Sequence, residues 1–103
     1  NMARLIALYD HPTDTAAFEQ HLTGTHLPLA RKIPGLQSLE TSRGPVMTAE
    51  GPGPYHLVVM LGFETMDDLH AGLNSPEGHA SAADAAILGT SGVTVLVFDS
   101  HEA

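Results

Sequence analysis

The sequence predicts an α+β domain in the order β-α-β-β-α-β, with a four-stranded antiparallel sheet carrying its helices on one face. Three observations carry this prediction. Short apolar runs alternate with segments of helical periodicity in that order. Pro, Gly and Asp stand at nearly every junction between them. The strongest strands are apolar on both faces, which a single layer of helices cannot bury.

Taken in order, Ala3 to Tyr9 is a short apolar run ended by Asp10, His11 and Pro12, the length and punctuation of a buried strand. Asp14 opens a helix from about Thr15 to Ile33, with Phe18, His21, Leu22, Leu29 and Ile33 near helical spacing. Pro28 removes an amide donor and disfavours helical geometry at Leu27, so the helix should kink or restart around Thr25 and His26. Pro34-Gly35 stops it. Leu36 to Arg43 makes a mostly polar strand that runs into a Gly- and Pro-rich loop, Gly44 to Pro54, expected to be mobile. Tyr55 to Glu64 is the strongest strand, and Thr65 with Asp68 resembles a capping box for a helix through Leu73. Ser75-Pro76-Glu77 reads as N-cap, N1 and N2 of another short helix. Gly92 to Asp99 closes the domain as a strand. This is the ferredoxin-like split βαβ pattern.

In the third strand Leu57, Val59, Leu61 and Phe63 point one way, and Val58 and Met60 the other. In the fourth, Val93, Val95 and Val97 oppose Leu96 and Phe98. The second face therefore needs a partner sheet, and a twofold homodimer stacking sheet on sheet, a dimeric α/β barrel with an apolar interior, supplies it.

The 103 residues suit one domain, taken as residues 2–103 because Asn1 ahead of Met2 reads as left over from expression. Twelve acidic residues against four basic give a formal charge of −8, which repels nucleic acid and anionic membranes. No apolar run approaches the roughly 20 residues that span a bilayer, and no signal peptide is evident, so a cytoplasmic protein is expected. The absence of cysteine excludes disulfides, thiolate nucleophiles, iron–sulfur clusters and cysteine-held zinc.

Histidine is over-used, with seven copies. His21 and His26 lie five apart, about 140° around a regular helix, which argues against their sharing a metal. His11, His79 and His101 are read as solvated. His26 occupies the irregularity made by Pro28 and can aim into a cleft as an acid–base group; the alternative is that it caps the broken helix. Tyr9 can present its hydroxyl at a cavity mouth, or simply pack. Tyr55 and His56 are neighbours on opposite strand faces, so at most one of them faces the dimer cavity. Arg43, beside the loop, can meet an anionic ligand or pair with the acidic surface. Asp67 and Asp68 serve a helix N-terminus. No phosphate loop, nucleophile elbow or dinucleotide fingerprint appears.

The run Phe18-x-x-His21, His26-Leu27-Pro28-Leu29-Ala30 and Ile33-Pro34-Gly35-Leu36 resembles the EthD-like family. So do Pro54-Tyr55-His56-Leu57, Ser75-Pro76-Glu77-Gly78, Asp84 and Gly92-Val93, in that order. Leu22 departs from the pattern, which often has an aromatic there. The resemblance implies the dimeric α/β-barrel superfamily and a protein named for ethyl tert-butyl ether degradation, where it accompanies a cytochrome P450 system. Superfamily relatives include cofactor-free monooxygenases, polyketide cyclases, muconolactone isomerases and haem-binding dismutases, and fold alone does not choose among them.

The expectation that results is a small, mostly apolar organic ligand in a dimer-associated cavity, with His26 and Tyr9 as catalytic groups and Tyr55, His56 and Arg43 as binding residues. No metal and no cofactor are expected. The chemistry is acid–base or oxidative; the alternative is a non-catalytic binding or accessory protein for a monooxygenase system. Haem binding is a third reading, which predicts a Soret band.

Overall fold

The computed structural model describes residues 2–103, so Asn1 lies outside the described residues. The elements are β1 (Met2–Asp10), α1 (Thr15–His21), a π-helical segment (Leu22–His26), α2 (Leu27–Arg31), β2 (Leu36–Thr41), β3 (Met47–Thr48), β4 (Gly51–Pro52), β5 (Tyr55–Phe63), α3 (Met66–Leu73), α4 (Pro76–Leu88) and β6 (Val93–Ser100). The order of the principal sheet is β2-β5-β1-β6, antiparallel throughout, and the fold is ferredoxin-like.

Local chemistry explains most boundaries. Asp14 accepts from the Ala17 amide and starts α1; Thr65 does the same for α3 through Asp68, and Ser75 for α4 through Gly78. Pro76 follows at N1, where its missing amide costs nothing. Gly35, with φ of 82°, makes the turn out of the first helical region.

Three elements differ from expectation. The loop from Gly44 to Pro54 carries a small ribbon, β3 paired with β4. The short helix after Ser75 runs 13 residues, because its Ala-rich sequence has high helix propensity while lacking the apolar stripe that marks length. The long first helix is irregular around Thr25 and His26, but it widens into a π turn rather than breaking and restarting.

Cross-strand pairs share a face, and the register separates the two sides of the sheet. Ala3, Ala7 and Tyr9 pair with Phe63, Val59 and Leu57. All six are buried, beneath Phe18 of α1, Leu22 of the π segment and Leu69 of α3. On the opposite face Ile6 pairs with Met60 and Leu96, and Leu8 with Val58. There Ile6, Leu8, Val58 and Met60 are half-buried, and Leu96 and Phe98 are 48% and 42% exposed. Among the described residues no helix is long and apolar enough to cross a membrane.

Candidate functional site

The π segment sets the site. Leu27 N–H donates to the Leu22 carbonyl, five residues back. Pro28 has no amide to give, and the wider turn accommodates that loss without opening the helix. Residues five apart, which a regular α-helix splays, come to one face of a π turn. His21 and His26 both reach Asp84 of α4: His21 Nε2 lies 2.8 Å from Oδ1, and His26 Nδ1 lies 2.9 Å from Oδ2. This corrects the 140° separation expected from regular helical geometry.

The carboxylate can only accept, so Nδ1 of His26 carries the proton and Nε2 is left with its lone pair. The Tyr9 hydroxyl faces that nitrogen at 3.4 Å, and Tyr9 supplies the donor. Tyr9, His26 and Asp84 are all buried, whereas the His21 side chain is 32% exposed. Among the described residues every buried side-chain nitrogen or oxygen has a partner. Burial, with a smaller contribution from the Asp84 charge, pushes the Tyr9 phenol up to about 12.

Tyr9 and His26 line a cavity of about 280 Å³ between the sheet and the helices of one protomer. This differs from the expected cavity between two stacked sheets. The room arises because α4 presents Gly78, Ser81, Ala82 and Ala85 toward Ala7 and Val59 of the sheet, so small side chains meet small side chains and leave a gap. Apart from Tyr9, His26 and Ser81, the lining is wholly apolar.

Tyr55 and His56 lie elsewhere. Tyr9 pairs with Leu57 but Asp10 with Tyr55, so His56 is the extra residue of a bulge. The bulge breaks the alternation expected of adjacent strand residues, and both side chains line one groove of about 620 Å³ beside the β3–β4 ribbon. His56 Nε2 donates to Glu19 at 2.8 Å; His11 Nε2 donates to the Gly53 carbonyl at 3.1 Å. His11 is thus exposed but tethered, while His79 and His101 are exposed as expected. Phe18 stands edge-on to Tyr9 of the cavity at 5.7 Å and to His56 of the groove at 5.1 Å. Arg43 is exposed, lines neither space and, among the described residues, makes no ion pair, so it is brought to neither candidate site.

Sequence reasoning missed Asp84 and His21 as parts of the site. The available signal was a carboxylate set among alanines in the middle of a helix, which is costly to bury unless it has a partner.

A model of the EthD domain family matches residues 10–88 of the chain. The chain belongs to the EthD family. That span takes in His21, His26 and Asp84 and begins one residue after Tyr9. A relative from Rhodococcus erythropolis, described as an uncharacterized 11.0 kDa protein in the thcB-thcC intergenic region, is 35% identical over 100 residues, covering 97% of this chain and 96% of its own. The crystal structure of an ethyl tert-butyl ether D (EthD) family protein from Bacillus halodurans C-125 superimposes with a TM-score of 0.89 at 32% identity, covering 98% of this EthD chain and 100% of that one. A protein from Thermobifida fusca, described as a dimeric ferredoxin-like protein of unknown function, shares the fold with a TM-score of 0.69 at 21% identity, over 94% and 89% of the two chains.

Proposed function

We propose that this EthD protein is a cytoplasmic homodimer that binds a small neutral organic molecule bearing one hydroxyl or carbonyl oxygen, in the cavity between Tyr9 and His26. The observation that carries this reading is the pairing of a donor and an acceptor at one end of an otherwise apolar cavity. A ligand hydroxyl inserted there accepts from Tyr9 and donates to His26 Nε2. A cavity of about 280 Å³ is roughly twice the ~150 Å³ that admits benzene, which suits one substituted ring or two fused rings. No Arg or Lys lines it, and Asp84 stands behind His26, so carboxylates and phosphates are disfavoured.

The same geometry supports cofactor-free acid–base chemistry. His26 Nε2 takes a proton from the carbon beside a ligand carbonyl, Asp84 stabilises the imidazolium through Nδ1, and the neutral Tyr9 phenol donates to the developing enolate oxygen. The non-catalytic alternative, a binding or accessory protein for a monooxygenase system, is favoured by one observation: among the described residues no titratable group besides Tyr9 and His26 lines the cavity.

The test has two parts. Saturating p-cresol should raise Tm, with toluene and 4-methylbenzoate giving smaller rises, and Tyr9→Phe and His26→Gln should lose most of the p-cresol effect. A rise retained by both variants places binding elsewhere. Proton NMR in D₂O then reads exchange at C2 of 1-indanone: acceleration by the wild type and not by His26→Gln supports catalysis, whereas binding without acceleration supports the accessory reading.

A further inference from the structure

We propose that the groove beside the β3–β4 ribbon is a second binding site, separate from the Tyr9–His26 cavity, and that it takes a small organic ammonium ion, a protonated amine on an apolar body. The groove, of about 620 Å³, is larger than the cavity of about 280 Å³, and the two share no lining residue.

Three local devices shape the groove. The bulge in β5 turns Tyr55 and His56 to the same side, where regular pleating would send them apart. The ribbon forms one wall and is held at several points. The Gly53 amide donates to the Val46 carbonyl at 2.8 Å, Thr48 Oγ1 to the Gly51 carbonyl at 2.9 Å, and His11 Nε2 to the Gly53 carbonyl at 3.1 Å. Pro45 and Pro52 on that wall have fixed φ, which removes further freedom. The floor is apolar, with Leu22 and Leu57 buried and Leu27 half-buried. A ligand therefore meets a groove formed before it arrives, and little ordering entropy opposes binding.

The polar groups of the groove select the charge. No Lys or Arg lines it, and Glu19 is its one acidic residue, in a chain of formal charge −8. His56 commits its Nε2 proton to Glu19 Oε1 at 2.8 Å, and His11 commits its own to the Gly53 carbonyl, so Nδ1 of each neutral ring is an acceptor. Among the described residues the second oxygen of Glu19 makes no hydrogen bond, and the side chain is 48% exposed, within reach of a ligand. An ammonium group supplies the donors that these acceptors lack, and its bond to the carboxylate is charge-assisted. The Tyr55 ring lines the same groove and adds the attraction of an aromatic face for a cation. An anion finds no countercharge there, and a neutral alcohol meets the same acceptors without the Coulomb gain.

The test is a ¹H–¹⁵N amide-shift titration of the full chain, at neutral pH and low salt, with phenethylammonium, 2-phenylethanol and 3-phenylpropionate. These probes share a ring and an ethylene arm and differ in charge. Phenethylammonium should shift the His11, Gly53 and His56 amides and bind about fivefold more tightly than 2-phenylethanol, the upper range for an exposed charge pair. The carboxylate should leave those amides unmoved. Glu19→Gln, at an exposed position, should remove the preference for the amine over the alcohol. Added salt should erode the same preference in the unaltered chain, which reads the charge even if the variant fails to fold. Groove amides that stay still, an alcohol that binds as tightly as the amine, or a preference that survives both Glu19→Gln and salt overturns the proposal. The phenethylammonium shifts should persist in Tyr9→Phe; their loss there would place binding in the cavity and overturn it too. A failure of p-cresol to bind refutes the cavity reading and leaves this titration intact.

Discussion

His26 Nδ1 donates to Asp84 Oδ2 at 2.9 Å across 58 positions of sequence. That bond makes the imidazole tautomer a property of the fold, because α4 brings the carboxylate to the π turn and Nε2 is then left as acceptor toward Tyr9. Metal-free histidine sites depend on such an orienting partner for the tautomer they present.

Removing the partner should be expensive. Asp84→Ala leaves a buried imidazole donor unsatisfied and is expected to cost about 2–3 kcal/mol in urea unfolding. His21→Ala removes a bond at a side chain that is 32% exposed and should cost under about 1 kcal/mol. Equal losses for the two variants would mean that Asp84 does not orient His26 in preference to His21.

Tyr9 links stability to alkaline pH. Its phenol is raised in the folded state from 10.0 to about 12, first by burial and then by Asp84. The folded protein therefore disfavours the phenolate, and the associated stability, about 3 kcal/mol, is fully present below pH 10 and is lost as pH rises toward 12. Chemical denaturation across pH 9 to 12 should show this loss in the wild type and a flatter profile in Tyr9→Phe.

How much of this was legible in the sequence depends on what each residue reports locally. Caps and turns at Asp14, Pro34-Gly35, Thr65 and Ser75-Pro76 mark element ends within a residue or two, because the capping side chain and the amide it binds are near neighbours. Apolar strands such as Leu57 to Phe63 reveal both of their faces. Pro28 announces an irregular helix but not its kind, since a kink, a restart and a π turn all accommodate a missing amide. The 58-residue gap between His26 and Asp84 is bridged only by packing. The cavity is equally hidden, because Gly78, Ala82 and Ala85 signal small volume without saying whether a neighbour fills the space.

Gly78 tests that packing directly. A Cβ there would overlap the Gly72 carbonyl oxygen and stand 2.6 Å from the Leu73 carbonyl carbon. Both are backbone atoms and cannot swing aside, so Gly78→Ala should move α4 off α3 and cost about 1–3 kcal/mol by urea denaturation. A neutral effect would contradict the close approach of these helices.

Filling the cavity should have the opposite sign. Ala85 lines it and is half-buried, so Ala85→Leu is expected to keep or raise Tm while removing the p-cresol response. A retained response would direct attention to the groove beside His56.

The most direct measurement is the ¹⁵N chemical shift of the His26 ring, read by long-range ¹H–¹⁵N correlation on histidine-labelled protein during a p-cresol titration. In the free protein Nδ1 should appear protonated and Nε2 as the bare nitrogen. On saturation the Nε2 resonance should move markedly as the ligand hydroxyl donates to it, with His56 unmoved. A protonated Nε2 in the free protein, or a His26 ring indifferent to saturating p-cresol, would contradict the site built from Tyr9, His26 and Asp84.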